Sequence, residues 1–169
     1  MHRKPCHIYQ GNYILTGPVN SGKSTALWQF FLSSLDAKVS GWISLPFFED
    51  GEKKGYDIVF IENSRPADRK LFIRKEGQGF RFNEEIFCES SKYVEVGDKK
   101  GVFIIDEVGP IELVQKGGFW PFLNVIYSSY LATLTVVRDS CVADFKKAFS
   151  RHKFEFFSQP LTENRKNTT

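Results

Sequence analysis

Gly17, Gly22, Lys23 and Ser24 stand at spacings that suit one kind of chemistry, the holding of a chain of phosphates. The run Gly17-Pro18-Val19-Asn20-Ser21-Gly22-Lys23-Ser24-Thr25 fits G-x-x-x-x-G-K-[ST], the phosphate-binding P-loop. The two glycines let the backbone turn where a side chain would obstruct it, so successive N–H groups point inward as an anion nest. Lys23 then sits beside the β- and γ-phosphates as a point charge. Ser24 offers its hydroxyl to Mg²⁺, an ion that keeps several waters and takes few protein ligands. Thr25 is a secondary candidate for the α-phosphate. A plain helix N-cap would account for one Ser or Thr, but not for the whole spacing.

A second set of chemical groups lies about 80 residues on. Gly101-Val102-Phe103-Ile104-Ile105-Asp106-Glu107 is an apolar run ending in two carboxylates. Such a run reads as a buried strand of a parallel sheet, and ligands collect at the carboxyl ends of those strands. Asp106 falls where a P-loop needs a carboxylate for its Mg²⁺, the Walker B pattern. Glu107 points to the γ-phosphate side, where a carboxylate orients and deprotonates the attacking water. Without the P-loop upstream, the pair would read as an acidic turn capping the next segment. Arg138 ends a later apolar run on the same sheet edge. It suits either charge stabilisation on the transferring phosphoryl group or a surface pair with Asp139. Glu112 either reaches back to this site or is a first-turn helix charge.

These groups need elements to hold them. Tyr13–Thr16 reads as a buried strand and Ala26–Leu32 as a helix, the strand–loop–helix context of a working P-loop. Trp42–Phe48 and Gly55–Ile61 read as paired strands around a Glu49–Glu52 turn, with Asp50-Gly51 as its hairpin pair. Pro46 places the first of them at a sheet edge. Short strands are expected at Leu71–Arg74 and Tyr93–Val96. Phe119–Tyr130 carries helical spacing with Pro121 in its first turn. Leu131–Val137 reads as a buried strand, Val142–Phe149 as a helix and Phe154–Phe157 as a last short strand, with Asn164–Thr169 fraying. The pattern is a three-layer α/β/α domain over residues 1–169. Its sheet is mostly parallel and carries an inserted antiparallel β-hairpin region at about 41–97.

Composition sets the outer limits. The 169 residues are 41% hydrophobic with seventeen Phe, which predicts an aromatic-rich core. A net charge of +3 suits an anionic ligand without implying nucleic acid. Cys6, Cys88 and Cys141 are odd in number and far apart, which argues against a disulfide framework or a zinc site. Reduced thiols, no apolar stretch of membrane-spanning length and no apolar signal region together suit a cytoplasmic protein. His2 and His7 fall in a terminus expected to be disordered.

The chain resembles the THEP-type nucleoside-triphosphatases, small P-loop NTPases. Four stretches carry the resemblance: Leu15-Thr16-Gly17 through Thr25; Gly41-Trp42 with Glu49, Gly51 and Gly55–Val59; Ile105 through Leu113; and Leu161-Thr162-Glu163-Asn164-Arg165. The resemblance implies slow Mg²⁺-dependent hydrolysis of nucleoside triphosphates to diphosphate and phosphate, with broad base tolerance. It also places Asn164-Arg165 near the base. The chain departs from the family where Lys53 and Lys54 replace arginines, since lysine lacks the planar bidentate fork, and where Trp42-Ile43-Ser44 replaces the usual aromatic pair and Thr. A small nucleoside or nucleotide kinase with the hairpin as acceptor site is the rival enzyme, against which stands the lack of a dense arginine lid. A nucleotide-dependent switch acting on a partner is the non-enzymatic rival. No N-K-x-D guanine signature is present.

Overall fold

Val102, Phe103, Ile104 and Ile105 are consecutive and all buried, which a strand achieves only when both faces of its sheet are covered. They belong to Val102–Val108, the centre of the fold. The computed structural model describes residues 10–33 and 38–158. Its strands are β1 (Gly11–Thr16), β2 (Val39–Glu49), β3 (Glu52–Glu62), β4 (Arg65–Glu76), β5 (Gly79–Phe82), β6 (Val102–Val108), β7 (Ala132–Val137) and β8 (Phe154–Ser158). Its helices are α1 (Lys23–Ser33), α2 (Glu85–Val96), α3 (Pro110–Leu113), α4 (Trp120–Ser129) and α5 (Val142–Ala148).

One eight-stranded sheet runs in the order β5-β4-β3-β2-β6-β7-β1-β8. The four contacts from β2 to β8 are parallel and the three from β5 to β2 antiparallel. On one face Leu27 and Phe31 of α1 pack with Val39, Ile43, Ile61 and Ile104. On the other, Phe119, Leu123, Ile126 and Phe145 from the α4 and α5 region pack with Trp42, Phe60, Phe103 and Ile105. The expected three-layer α/β/α arrangement is therefore present. So is the aromatic core, with Trp42 stacked on Phe119 at 4.6 Å and Phe60 on Tyr93 at 4.2 Å between ring centroids.

The hairpin region extends the parallel sheet as its antiparallel half. Glu49 pairs with Glu52 across Asp50-Gly51, whose φ values of +52° and +76° are those of a two-residue type I′ turn.

Two expectations are corrected. Tyr93–Val96 is the end of α2, not a strand: Ile86, Ser90, Tyr93 and Val94 are its buried residues, a helical spacing that a four-residue window misses. Pro46 does not mark an edge strand, because β2 lies between β3 and β6. Pairing with β6 stops at Trp42, however, so Pro46 is on a stretch bonded along one side only, where a missing N–H is tolerated. The expectations for His2, Cys6, His7, Leu161–Arg165 and the fraying tail fall outside the described residues. No helix among the described residues is long and apolar enough to cross a membrane.

Candidate active site

β1 and α1 place the loop Gly17–Gly22 at the carboxyl edge of the parallel strands. Gly22 has φ +83°, a left-handed conformation that a side chain would strain, and Asn20 takes φ +61°, which asparagine tolerates better than most residues. The backbone N–H groups that open α1 have no partner within the helix and form its anion-binding end. Lys23 is folded over its own loop. Its Nζ donates to the Gly17 carbonyl at 2.9 Å, to the Ser21 hydroxyl at 3.2 Å and to the Pro18 carbonyl. The ammonium thus lies against its own loop.

β6 brings the two carboxylates. Ile105 pairs with Thr135 and Val108 with Val137, so two residues on β6 face one on β7. This is a β-bulge. Asp106 turns inward and is buried, while Glu107 is thrown outward in the left-handed region at φ +61°. A non-glycine residue there costs about 1–2 kcal/mol. The Asp106 carboxylate accepts from the Ser44 backbone N–H at 2.8 Å and from the Ser24 hydroxyl. Burial pushes its pKa up to about 7, against the lowering effect of those two hydrogen bonds. Ser24 and Asp106, two hard oxygen donors in contact, fit a Mg²⁺ ion, which needs few protein ligands.

Arg138, just beyond β7, bonds Glu107: its Nε donates to Oε1 at 3.2 Å, and its Nη2 to the same oxygen. Pairing with Asp139 is not what the geometry shows. Glu112 sits in α3, buried, with Oε2 accepting from the Gly109 N–H at 3.0 Å and Oε1 from the Phe119 N–H at 3.2 Å. Burial raises its pKa. Glu112 ties the end of β6 to the start of α4 and also lines the cleft that holds Asp106 and Glu107, so the geometry does not separate its two readings. Lys53 lies 4.1 Å over the Tyr56 ring at the cleft, and Lys54 bonds Glu52.

Val19–Thr25, Asp106, Glu107 and Arg138 line one cleft of about 640 Å³. All the residues picked out for chemistry, apart from the loop's first two, Gly17 and Pro18, therefore meet in one place. Two contributors were not visible in the sequence. One is Ser44, which acts through its backbone and so leaves no side-chain signature. The other is a group of aromatic residues, Phe72, Phe82, Phe87 and Phe119 among them, that continues the cleft beyond Glu107. Their only signal was the high Phe count.

A family profile described as NTPase matches residues 12–169. The chain belongs to the NTPase family. It is a nucleoside triphosphatase at the level that family defines. Its fold is that of THEP1 from the hyperthermophile Aquifex aeolicus, with TM-score 0.67 and 22% identity over 91% of this chain and 92% of that one. A human cancer-related nucleoside triphosphatase has TM-score 0.62 and 18% identity over 88% of both chains. No curated protein matches the sequence. At these identities the two structures speak to the fold, while the profile match carries the family.

Proposed function

We propose that this member of the family is a Mg²⁺-dependent phosphohydrolase that converts nucleoside triphosphates to diphosphates and phosphate, with broad base tolerance, as a single catalytic domain in the cytoplasm. The observation that carries the reading is the bulge in β6. It sets an exposed carboxylate, Glu107, beside a buried one, Asp106, in the same cleft as Lys23. The buried carboxylate suits a metal and the exposed one suits water.

Glu107 takes a proton from a water molecule, whose oxygen attacks the γ-phosphorus. The bond from that phosphorus to the β-bridging oxygen breaks, and the nucleoside diphosphate leaves. Lys23 and the amides of Gly17–Thr25 take up negative charge as it develops. Arg138 leaves Glu107 and turns to the transferring phosphoryl group. Mg²⁺ held by Ser24 and Asp106 supplies Lewis-acid neutralisation of the phosphate oxygens. The residues assigned here act on phosphates, not on a base, which supports broad tolerance. Arg69, Arg74 and Arg81 of the hairpins ion-pair with Asp57, Glu49 and Glu76, which counts against the arginine lid of a kinase.

The test is phosphate release from ATP, GTP, CTP and UTP, with Mg²⁺ and with EDTA, without any acceptor. Comparable release from all four that stops with EDTA is expected. Release that requires an added acceptor would replace hydrolysis by a kinase reaction, and release from one nucleotide alone would remove the base tolerance.

A further inference from the structure

The cleft does not end at the phosphate site. Past Ser44, Asp106 and Glu107 it continues over the antiparallel half of the sheet, where its lining becomes aromatic. Phe72 forms the floor, with ring centroids 5.9 Å from Phe82 and 5.6 Å from Phe87. Phe87 in turn lies 4.9 Å from Phe119. Tyr56 lines the same stretch, Phe80 lies at its rim 60% exposed, and Lys53 stands beside Tyr56.

Phosphate chemistry does not account for this stretch. With the γ-phosphate at Glu107, the nucleotide's own base, attached at the α-phosphate, leaves from the opposite end of the P-loop. On that orientation the aromatic stretch lies on the γ-phosphate side. Phe80 and Phe82 offer rings to it, Phe72 and Phe119 are buried beneath, Pro46 and Ile73 lie among the lining, and it is continuous with the phosphate site. Planar heterocycles stack on such surfaces whatever their substituents. A lysine at the rim adds a donor for the hydroxyls of an attached sugar.

We propose that this aromatic groove binds a second small molecule of nucleoside type, its base stacked on Phe80 and Phe82, at the same time as the triphosphate occupies the P-loop. The assignment rests on the orientation adopted above, with Glu107 at the γ-phosphate. Occupancy of the groove covers the solvent approach to Glu107.

The experiment is calorimetric titration of the full chain, saturated with Mg²⁺ and the non-hydrolysable analogue AMP-PNP, with adenosine, guanosine, cytidine and uridine. At least one nucleoside is expected to bind at one site. Phe80→Ala is expected to weaken it on the order of ten-fold, the loss of one stacking partner, while Phe80→Trp retains it. The exposed position of Phe80 keeps these variants foldable. Three results would overturn the proposal: no binding by any of the four, binding unchanged in Phe80→Ala, or displacement of the nucleoside by AMP-PNP. Phosphate release without added nucleoside is read separately, so failure here is distinguishable from failure of the hydrolase reading.

Discussion

Arg138 holds Glu107 through two donors, Nε and Nη2, that converge on one carboxylate oxygen. The pair joins the ends of neighbouring parallel strands, and both partners are partly exposed, with side chains 42% and 47% accessible. An exposed pair of this kind contributes little to stability, in the range of 0–1 kcal/mol. Its interest is positional, since the cation proposed for the transition state here occupies the base.

Glu107→Gln keeps the shape of that contact but removes the proton acceptor. Triphosphate binding is expected to stay within a few-fold of wild type while turnover falls by about 10²–10⁴. Equilibrium binding of a fluorescent nucleotide, set beside single-turnover phosphate release, checks this. Full phosphate release by the variant would sink the proposed mechanism.

Arg138→Ala separates two roles. If Arg138 only restrains Glu107, its removal frees the base and turnover rises. If it carries charge in the transition state, turnover falls by roughly 10³. The second outcome is expected, with Arg138→Lys recovering only part of the loss, because lysine cannot present the guanidinium fork. Steady-state rates at saturating nucleotide decide between them.

The buried Asp106 makes the protein without metal sensitive to pH. Its folded pKa of about 7 lies above the ordinary value of 3.8. The folded state therefore binds the proton more tightly than the unfolded chain. The resulting stability is fully present below pH 4 and is lost as the pH rises towards 7, an effect on the order of 4 kcal/mol. Denaturant titrations between pH 4 and 8 in EDTA are expected to show this fall, and Asp106→Asn to flatten it. Mg²⁺ binding needs the ionised carboxylate, so metal affinity should rise over the same interval. A wild-type profile no steeper than that of Asp106→Asn would show that this carboxyl is not the titrating group.

Glu112 is expected to matter for stability. Glu112→Ala leaves the N–H groups of Gly109 and Phe119 without their acceptor in a buried setting. At about 1–3 kcal/mol for each orphaned donor, the loss should be roughly 3 kcal/mol or more. Glu112→Gln keeps an acceptor oxygen for one of the two and should cost less. Urea midpoints for the two variants test the order, and a loss in Glu112→Ala no larger than in Glu112→Gln would remove the clamp from the account.

The parts legible in the sequence were those with a strict spacing or period. The P-loop spacing placed Gly17–Thr25, and the unbroken apolar run placed β6 with Asp106 at its end. Asp50-Gly51 fixed the turn between β2 and β3. What escaped was set by tertiary neighbours. Tyr93 and Val94 look strand-like alone and become helical only with Ile86 and Ser90. Pro46 looked like an edge marker because sequence does not show that pairing with β6 ends at Trp42. Ser44 acts through a backbone N–H that any residue except proline would supply. The aromatic groove is assembled from β3, β4, β5, α2 and the start of α4, so no local pattern describes it.

The bulge at Asp106–Glu107 has an evolutionary reading as well as a mechanical one. Ile105 and Val108 both belong to the same side of the core, a placement a regular strand would give to residues two apart, not three. Glu107 is therefore the supernumerary letter in the strand. Shortening the chain by that one residue would restore regular alternation and leave the core's apolar pattern intact. A lineage could thus lose or gain the proposed base by a single codon, without redesigning the sheet around it.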